Sequence, residues 1–256
     1  REFIAAGAAA GSLVLAVDLA GATRRHRPGP LAPDFAPNAF LEIGTDGGVT
    51  IWVSKSEMGQ GVRTALPMIV AEELEADWSR VSIRQADADP KYGDQGTGGS
   101  ESMSGMWRPL RKAGAQGREM LVAAAAARWG VPAAECRAEQ GAVLHPGSGR
   151  RAGYGELAAD AAKQAVPDAP TLKDPATFRL VGVGVPNLDT PSKVTGQASY
   201  GLDVRLPGMR FAVIARCPVL GGTMRGHDPE KARAVPGVRD VVEVPAGIAV
   251  IADSTW

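Results

Sequence analysis

The chain has 256 residues, 45% of them hydrophobic and 22% charged, which is enough to bury one large core or two smaller ones. Its 28 basic and 28 acidic side chains balance to a formal net charge of zero and are interspersed, so neither a basic patch nor an acidic tail is predicted. This pattern argues against nucleic acid as a partner. We expect two folded units.

Cysteine and histidine are too few to predict a metal site within this chain. Cys136 and Cys217 lie far apart without a CxxC spacing, and with only three histidines no zinc or iron–sulfur ligand set can be assembled. Both cysteines are expected to be small buried hydrophobic side chains, as free cysteine commonly is. A disulfide between them stays open, because the sequence does not give their separation.

The N-terminal segment, residues 1–37, has the composition of an export signal followed by a linker. Arg1 precedes a weakly apolar run rich in Ala and Gly, as in a signal peptide, and is similar to the second arginine of a twin-arginine signal. The alternative is an ordinary buried N-terminal helix. Three arginines and four prolines between Asp18 and Asn38 then predict an extended linker.

The first folded elements are two strands joined by a turn. Residues 40–43 and 49–53 alternate apolar and polar side chains around Thr45-Asp46-Gly47-Gly48, which is a strong hairpin signal. The glycine-rich turn Gly59-Gln60-Gly61 follows directly. From Thr64 the apolar spacing predicts a helix, and its opposite, solvated face is assigned to three acidic residues: Glu72, Glu73 and Glu75.

A strand at residues 81–85 and a polar loop at residues 87–98 come next. Loops of this length are usually functional or disordered, and we expect function. A second glycine-rich turn, Gly96 to Ser102, ends the loop, and Ser100 or Ser102 is expected to cap the following helix. Pro109 is expected to kink or split that helix, whose core stripe is Met103, Met106, Leu110, Met120, Leu121, Ala124 and Ala125.

The rest of the chain predicts smaller elements of mixed type. Residues 134–165 predict a short hairpin and a helix, and the proline-rich residues 166–177 predict a domain boundary. Beyond it, one short helix is predicted at residues 228–234. Four strands are predicted there: residues 178–183, 198–204, 209–215 and 238–244. The whole pattern indicates an α+β fold.

The two glycine-rich turns carry the chemistry that the residues predict. Each lies where a strand or loop gives way to a helix and lacks bulky side chains, so its backbone N–H groups can face an anion. Residues 96–100 lack the lysine of a P-loop, and residues 182–186 have proline where a dinucleotide fingerprint opens a helix. Two turns therefore predict one extended anionic ligand of another kind.

Side-chain catalysis by the chain alone is not predicted. Ser100 and Ser102 lie outside any GxSxG nucleophile elbow, and His145 and His227 lie in turn contexts that favour a surface position. The pair Glu72–Glu73 is expected to be solvated rather than catalytic. A cofactor would have to supply the reaction.

The glycine-rich turns also carry a family resemblance. The run Ser56-Glu57-Met58-Gly59-Gln60-Gly61, with Thr64 and Ala71-Glu72-Glu73-Leu74, resembles the MGQG segment of the molybdopterin-binding region in the xanthine oxidase family of molybdenum hydroxylases. The turn Gly98-Gly99-Ser100-Glu101-Ser102 is similar to the segment with which that family wraps the pterin and its phosphates. Within the family, the likeness is to the large, or beta, subunit of the isoquinoline 1-oxidoreductase and membrane-associated aldehyde dehydrogenase type.

The C-terminal residues resemble another domain of the same family. The run Lys193 to Asp203, with Leu188-Asp189 before it and Arg216-Cys217-Pro218-Val219 after it, is similar to the α/β-hammerhead domain. The resemblance implies three parts: a signal remnant and linker at residues 1–37, the N-terminal part of a molybdopterin-binding domain at 38–168, and a hammerhead domain at 169–256 that is truncated at its C-terminal end.

The resemblance implies roles for the residues of both turns. Gly59 and Gly61 would allow close backbone approach to the cofactor, and the Gln60 amide would hydrogen-bond near the molybdenum ligands or the pterin. N–H and hydroxyl donors for a phosphate would come from a second set: Thr97, Gly98, Gly99, Ser100 and Ser102. The alternative for each glycine is a turn with positive φ and no ligand.

Two departures from the family pattern limit what this chain can do. The family's general base is a glutamate near the C-terminus of a much longer polypeptide, and a further glycine-rich segment follows the hammerhead. Neither is found in these residues, so no catalytic residue and no metal ligand is assigned here. We expect the chain alone to be inactive, and a second chain carrying the rest of the large subunit to cover residues 40–256.

By the same resemblance, the whole enzyme would oxidise aldehydes to carboxylic acids or hydroxylate N-heteroaromatic rings with oxygen from water. Its cofactor would be molybdenum with molybdopterin cytosine dinucleotide, and electrons would pass to a small [2Fe-2S] subunit and from there to a cytochrome c subunit. The expected location is the periplasm, with membrane association left open. The alternative is a non-catalytic scaffold or assembly protein that keeps the fold without the cofactor.

Overall fold

The computed structural model describes residues 13–16, 39–219 and 221–255. The chain divides into two compact units between Val194 and Thr195, and both contain helices and strands, as the α+β prediction requires. The predicted export signal and linker at residues 1–37 lie outside the described residues, apart from a short strand at Leu13–Ala16. None of the helices described is both long and apolar enough to cross a membrane.

A four-stranded sheet organises the first unit. Its strands are β1 (Leu13–Ala16), β2 (Ala39–Ile43), β3 (Val49–Val53) and β4 (Val81–Gln85). The predicted hairpin is confirmed: β2 and β3 are antiparallel, and the Gly48 N–H donates to Asp46 Oδ1 in the turn at 2.8 Å. β4 lies parallel to β3, an orientation that requires a crossover connection between them.

Two helices follow the parallel strands and pack against each other. They are α1 (Val62–Leu74), which connects β3 to β4, and α2 (Glu101–Trp129), which follows β4. Both predicted helices are confirmed, and α2 is not split at Pro109, which lies inside it. Met103 is 41% exposed, so this member of the predicted core stripe is outside the core, whereas the remaining six members are buried.

The two helices come closest at Gly114. A Cβ placed on Gly114 would lie 2.5 Å from the Val70 carbonyl oxygen and 2.8 Å from the Glu73 Cβ. Because one of these neighbours is backbone, it cannot move away as the end of a flexible side chain would. The absence of a side chain at this position therefore sets how closely α1 and α2 pack.

The acidic residues at the end of α1 are buried, so the prediction of a solvated pair was wrong. Glu72 is 3% exposed and Glu73 is fully buried. The Arg111 Nε donates to Glu73 Oε1 at 2.6 Å, and the Lys173 ammonium pairs with Glu72. Periodicity assigns charged residues to solvent, but these two are buried because cations from α2 and from a distant loop neutralise them.

Glu72 also holds the segment that crosses over the first unit. Its Oε2 accepts from the backbone N–H groups of Arg179, Leu180 and Val181 at 2.9, 2.6 and 3.0 Å. These groups are thereby taken by a carboxylate, so the strand predicted at residues 178–183 does not form. The segment continues to α4 (Thr190–Val194) and belongs to the first compact unit, although the assignment of residues 169–256 to a hammerhead domain stays a prediction.

A small antiparallel sheet and one helix complete the first unit. They are β5 (Arg137–Glu139), β6 (Ala142–His145), β7 (Arg150–Gly153) and α3 (Tyr154–Ala161). The predicted hairpin and helix are confirmed, and β7 adds a strand that the sequence did not predict. The Tyr154 hydroxyl donates to the Leu74 carbonyl at 2.5 Å, which ties α3 to the end of α1.

The predictions of a surface position for His145 and of a buried position for Cys217 were wrong. His145 is only 6% exposed, because Ser148 Oγ lies 2.7 Å from its Nδ1 and Glu135 Oε2 lies 3.1 Å from its Nε2. Both cysteines are free thiols, and Cys217 is exposed, whereas Cys136 is half-buried and packs against the core. Burial and the neighbouring Glu135 carboxylate raise the pKa of the Cys136 thiol.

The second unit is built on a three-stranded antiparallel sheet in the order β8-β10-β9. Its elements are β8 (Phe211–Ala215), α5 (Glu230–Arg233), β9 (Val238–Val244) and β10 (Gly247–Ala252). The predicted elements at 209–215, 228–234 and 238–244 are confirmed with shorter bounds for the first two. β10 was not predicted, because its apolar run does not alternate. Residues 198–204 form no strand, and the Tyr200 N–H donates to Asp203 Oδ2 at 2.9 Å instead.

Candidate cofactor-binding site

Both glycine-rich turns lie at one edge of the main sheet. The first, residues 56–61, follows β3 and precedes α1, and the second, residues 96–102, follows β4 and runs into the first turn of α2. Because β3 and β4 are neighbouring parallel strands, the segments that leave their carboxyl ends emerge at the same edge. Crevices at the carboxyl ends of parallel strands, next to helix N-termini, are common ligand sites in proteins.

The two turns contact each other directly. The Ser56 N–H donates to Thr97 Oγ1 at 2.9 Å, and the Lys55 ammonium donates to the carbonyl oxygens of Asp94 and Gly96 at 2.9 and 2.8 Å. Lys55 is itself buried, with 8% of the residue exposed. Two consecutive residues just after β3 therefore hold the loop that leads to α2.

The N-terminus of α1 is occupied by a carboxylate of the chain itself. Glu57 Oε1 accepts from the N–H groups of Gly59 and Gly61 at 2.8 and 2.9 Å, and Oε2 accepts from the Arg63 N–H at 3.0 Å. Partial burial raises the pKa of Glu57, but these three donors and the charge of Lys193 outweigh it and hold the pKa below its ordinary value. The expectation of bare N–H groups in the first turn was thus wrong.

Gln60 closes the same turn with its side-chain amide. Its Nε2 donates to the Ser56 carbonyl at 2.8 Å, and its Oε1 accepts from the Met58 N–H at 2.6 Å. A primary amide has two N–H groups and two lone pairs on its oxygen, so each end keeps one position for a ligand. Gln60 and Gly59 are exposed, and no described atom lies within 4 Å of a Cβ placed on Gly59.

The second turn keeps its helix N-terminus accessible. Ser100, the residue before α2, has a left-handed backbone with φ 59°, and its side chain makes no capping bond within the described part of the chain. The turn is closed by the Glu101 N–H, which donates to the Gly98 carbonyl at 3.1 Å. Gly98, Gly99 and Ser100 are exposed, so the positive end of a 29-residue helix faces solvent beside the first turn.

The predicted residues therefore divide into two groups. Thr97 is engaged with Ser56, Gln60 with its own turn, and the N–H groups of Gly59 and Gly61 with Glu57. A second group offers exposed or half-buried donors and bare backbone: Gly98, Gly99, Ser100 and Ser102. No described atom lies within 4 Å of a Cβ placed on Gly98, and a ligand could lie flat against this backbone. The donors at the α2 N-terminus suit a phosphate, and this part of the site fits a pterin nucleotide.

A third segment, which sequence reasoning did not assign to the site, closes the first turn from another side. The Leu188 N–H donates to Thr64 Oγ1 at 3.0 Å, and Asn187 Oδ1 lies 3.5 Å from a Cβ placed on Gly61. Asp189 is buried and pairs with Lys193 at 2.6 Å. This pairing holds the pKa of Asp189 below its ordinary value, against the effect of burial.

Two cavities of the first unit lie away from the turns. One of about 110 Å³ is lined by Glu72, Glu75 and Trp78, and one of about 360 Å³ is lined by Arg118, Cys136 and Lys173 among others. Neither includes a residue of either glycine-rich turn. These two cavities are therefore separate from the candidate site.

The fold brings two glycine-rich turns, each at the start of a helix, to one edge of a sheet. A model of the molybdopterin cofactor-binding domain family matches residues 11–204, and this chain belongs to that family. The resemblance to the molybdenum enzymes of the xanthine oxidase family is thereby confirmed.

Curated relatives agree with this assignment. The beta subunit of isoquinoline 1-oxidoreductase from Brevundimonas diminuta is 39% identical over 91% of this chain and 35% of its own length. The membrane-bound aldehyde dehydrogenase [pyrroloquinoline-quinone] of Gluconacetobacter polyoxogenes is 34% identical over 83% of this chain and 28% of its own length. A nicotinate dehydrogenase subunit from Pseudomonas putida is 31% identical over 88% of this chain and 20% of its own length. The chain therefore spans about a third or less of these relatives.

Proposed function

We propose that this chain is the N-terminal portion of the molybdenum-cofactor subunit of an oxidoreductase, and that it forms one wall of the cofactor site. The observation that carries the proposal is the junction of the two glycine-rich turns at one sheet edge, with the exposed N-terminus of α2 beside the Gln60 turn. When bound, the cofactor supplies a two-electron acceptor for hydroxylation with oxygen from water.

The residues of this chain would bind and orient that cofactor. The N–H groups and hydroxyls of the second turn would hold its phosphates, through Thr97, Gly98, Gly99, Ser100 and Ser102. Gly59 and Gly61 would let the backbone approach the pterin, and the remaining amide positions of Gln60 would hydrogen-bond to it. No residue of this chain is proposed as a metal ligand or as the general base, which we place in a segment beyond these residues.

We propose the finer features of the whole enzyme by analogy with the named relatives. We extend to this protein the oxidation of aldehydes and of N-heteroaromatic rings, because relatives of both kinds match most of this chain. We propose the cytosine dinucleotide form of the cofactor, whose pyrophosphate would accept from the N–H and hydroxyl donors of the second turn. Partners would be the remainder of the large subunit, a small [2Fe-2S] subunit and a cytochrome c subunit.

Three further assignments are part of the same proposal. Residues 1–37 would carry a twin-arginine signal and linker, which implies a periplasmic location, with membrane association as in the membrane-bound relative. Residues 169–256 would belong to an α/β-hammerhead domain. Its apolar residues support a covering chain, because several are strongly exposed in the second unit: Leu202 at 89%, Val213 at 65% and Val219 at 67%.

Metal and pterin analysis of the full-length protein, purified with its partner subunits, tests the proposal. We expect molybdenum and a pterin cytosine dinucleotide near one per assembly, and oxidation of an aldehyde or an N-heteroaromatic compound with a dye as electron acceptor. An intact assembly that contains neither molybdenum nor pterin would instead support a non-catalytic scaffold that keeps the fold.

A further inference from the structure

We propose that Lys55 is a positioning residue whose ammonium fixes the second glycine-rich turn against the first, and that retention of the cofactor depends on this link. The inference rests on the proposed function for its ligand, but the link itself is a feature of this chain. Neither the resemblance of the glycine-rich turns nor the sequence pattern assigned Lys55 a role.

The position of Lys55 makes it a bridge between two elements. It lies two residues after the end of β3 and immediately before the first glycine-rich turn, whereas its ammonium contacts loop residues about forty positions further along the chain. Its Nζ donates to the carbonyl oxygens of Asp94 and Gly96. The Asp94 carboxylate is 3.9 Å away and 60% exposed, so the two carbonyl groups are the principal partners.

Both sides of the bridge are held in place. On the strand side, Gln85 Nε2 at the end of β4 donates to the carbonyl oxygens of Val53 and Lys55 at 2.9 and 3.3 Å. On the loop side, the Gly96 N–H donates to Asp94 Oδ1 at 2.8 Å, which closes a tight turn in the loop. The ammonium therefore joins two segments whose local geometry is already fixed.

Burial makes this bridge costly to lose. The Lys55 side chain is only 10% exposed, so its charge has exchanged most of its water for the two carbonyl groups. Those groups belong to a loop rather than to a strand or a helix. If an apolar side chain replaced the lysine, both carbonyl groups would lose a charged donor, and the loop would be held by the Ser56–Thr97 bond beside it.

The consequence for a ligand follows from where the loop leads. Gly98 comes two residues after Gly96, and α2 beyond it is fixed by packing on α1. Greater backbone mobility at residues 94–97 would therefore displace the second turn. A cofactor held by both turns requires a fixed distance between them, because binding is weakened when the protein must first be ordered.

The test compares Lys55→Met, Lys55→Arg and Lys163→Met in the full-length protein with its partner subunits. Lys163 pairs with Asp160 on an exposed surface and serves as the matched control. We expect Lys55→Met to speed hydrogen exchange in residues 94–102, leave the α1–α2 core unchanged, and raise the rate of pterin release about tenfold. Lys55→Arg should restore part of the retention, because it keeps a charged donor, and Lys163→Met should match wild type.

Other outcomes separate this inference from the proposed function. The role of Lys55 is overturned if hydrogen exchange at residues 94–102 is unchanged in Lys55→Met, or if it is faster but the pterin is retained normally. If the wild-type protein contains pterin, the proposed function stands in both cases. A wild-type protein without pterin overturns the proposed function. Hydrogen exchange at residues 94–102 then still tests whether Lys55 fixes the second turn. If both Lys55→Met and the donor-retaining Lys55→Gln lose the α1–α2 core, Lys55 is a residue of general stability and the positioning role fails.

Discussion

The Nε of Arg111 in α2 lies 2.6 Å from Oε1 of Glu73 in α1, and both residues are almost completely removed from solvent. Arg118 donates to the other oxygen of the same carboxylate at 3.2 Å, and so does the Lys173 N–H at 3.0 Å. One buried carboxylate thus joins two helices and the segment that crosses them.

Replacement of Glu73 by Ala should lower the free energy of unfolding by about 3 kcal/mol or more, because it leaves the Arg111 and Arg118 charges without their shared partner. Urea titration followed by tryptophan fluorescence measures the loss. Glu139→Ala is the control, since its pair with Arg137 is on the surface, and it should cost less than about 1 kcal/mol. Equal losses in the two variants would contradict the central role of Glu73.

Gly114→Ala should destabilise the protein by about 1–3 kcal/mol, since the added methyl would overlap the Val70 backbone where α1 and α2 are closest. The same substitution at Gly105 in α2 is the control, because no described atom lies within 4 Å of a Cβ there. Gly105→Ala should be neutral or stabilise the helix by about 0.5–1 kcal/mol. Thermal unfolding measures the stability of both variants. A Gly114→Ala protein as stable as wild type would mean that α1 and α2 can move apart at this position without loss of free energy of unfolding.

Acid should release the segment that Glu72 holds. Burial raises the pKa of Glu72, but the bond with Lys173 and the N–H groups of Leu180, Val181 and Arg179 outweigh it and lower the pKa. A group whose pKa is lower in the folded state stabilises it above the unfolded pKa, which is about 4.3 for Glu. The stabilisation is therefore complete at neutral pH and is lost as the pH falls through the folded pKa.

Hydrogen exchange of residues 173–181 between pH 3 and pH 7, corrected for the intrinsic pH dependence of exchange, measures this release. Glu72→Gln should show faster exchange at pH 7 and little further change in acid, because it has lost the titrating group. A wild-type segment that stays equally protected down to pH 3 would show that packing, and not the carboxylate, holds it.

Gly98→Val tests the proposed contact between the second turn and the cofactor. The folded chain has open space at Gly98, and its φ is outside the left-handed region, so the substitution should leave stability within about 0.5 kcal/mol. A cofactor against this backbone would be displaced by the new side chain, and pterin content should fall. Normal pterin content in a folded Gly98→Val protein would remove Gly98 from the site.

Gln60→Ala should lower cofactor content or turnover without unfolding the domain, because it removes the amide positions that face solvent. Gln164→Ala provides the control, since the Gln164 amide lies outside both turns and donates a long, 3.4 Å bond to the Asp160 carbonyl. Circular dichroism checks folding, and molybdenum analysis measures occupancy. Unchanged occupancy and turnover in Gln60→Ala would exclude Gln60 from the site.

The sequence predicted the elements whose signals are local. The Asp46 turn, the glycines before α1 and the apolar stripe of α2 each act over a few residues, so the hairpin and both helices were found. The contacts of Lys55 and Glu72 were not predicted, because their partners lie about 40 and 100 positions away in the sequence and only the fold brings them together. A charged residue two positions after a buried strand was the one available signal for Lys55.

The site shows the same division. Glycine content located both turns, but it could not show that Glu57 accepts from the N–H groups of the first turn, whereas the N-terminus of α2 has no side-chain cap. Three bonds within seven residues, from Glu57 to Arg63, decide this, and many side-chain rotamers would have been compatible with the same sequence. The geometry of a carboxylate in its own turn is a property of the folded chain.

Glu57 also gives the sheet edge a polarity. Its carboxylate accepts from three N–H groups at the positive end of α1, whereas Glu101, the acidic residue in the first turn of α2, caps none of the N–H groups there among the described residues. An elongated ligand with one charged and one uncharged end would then bind in a single direction, with the charged end at α2. Head-to-tail orientation of the ligand would thus be determined before any second polypeptide closes over the site.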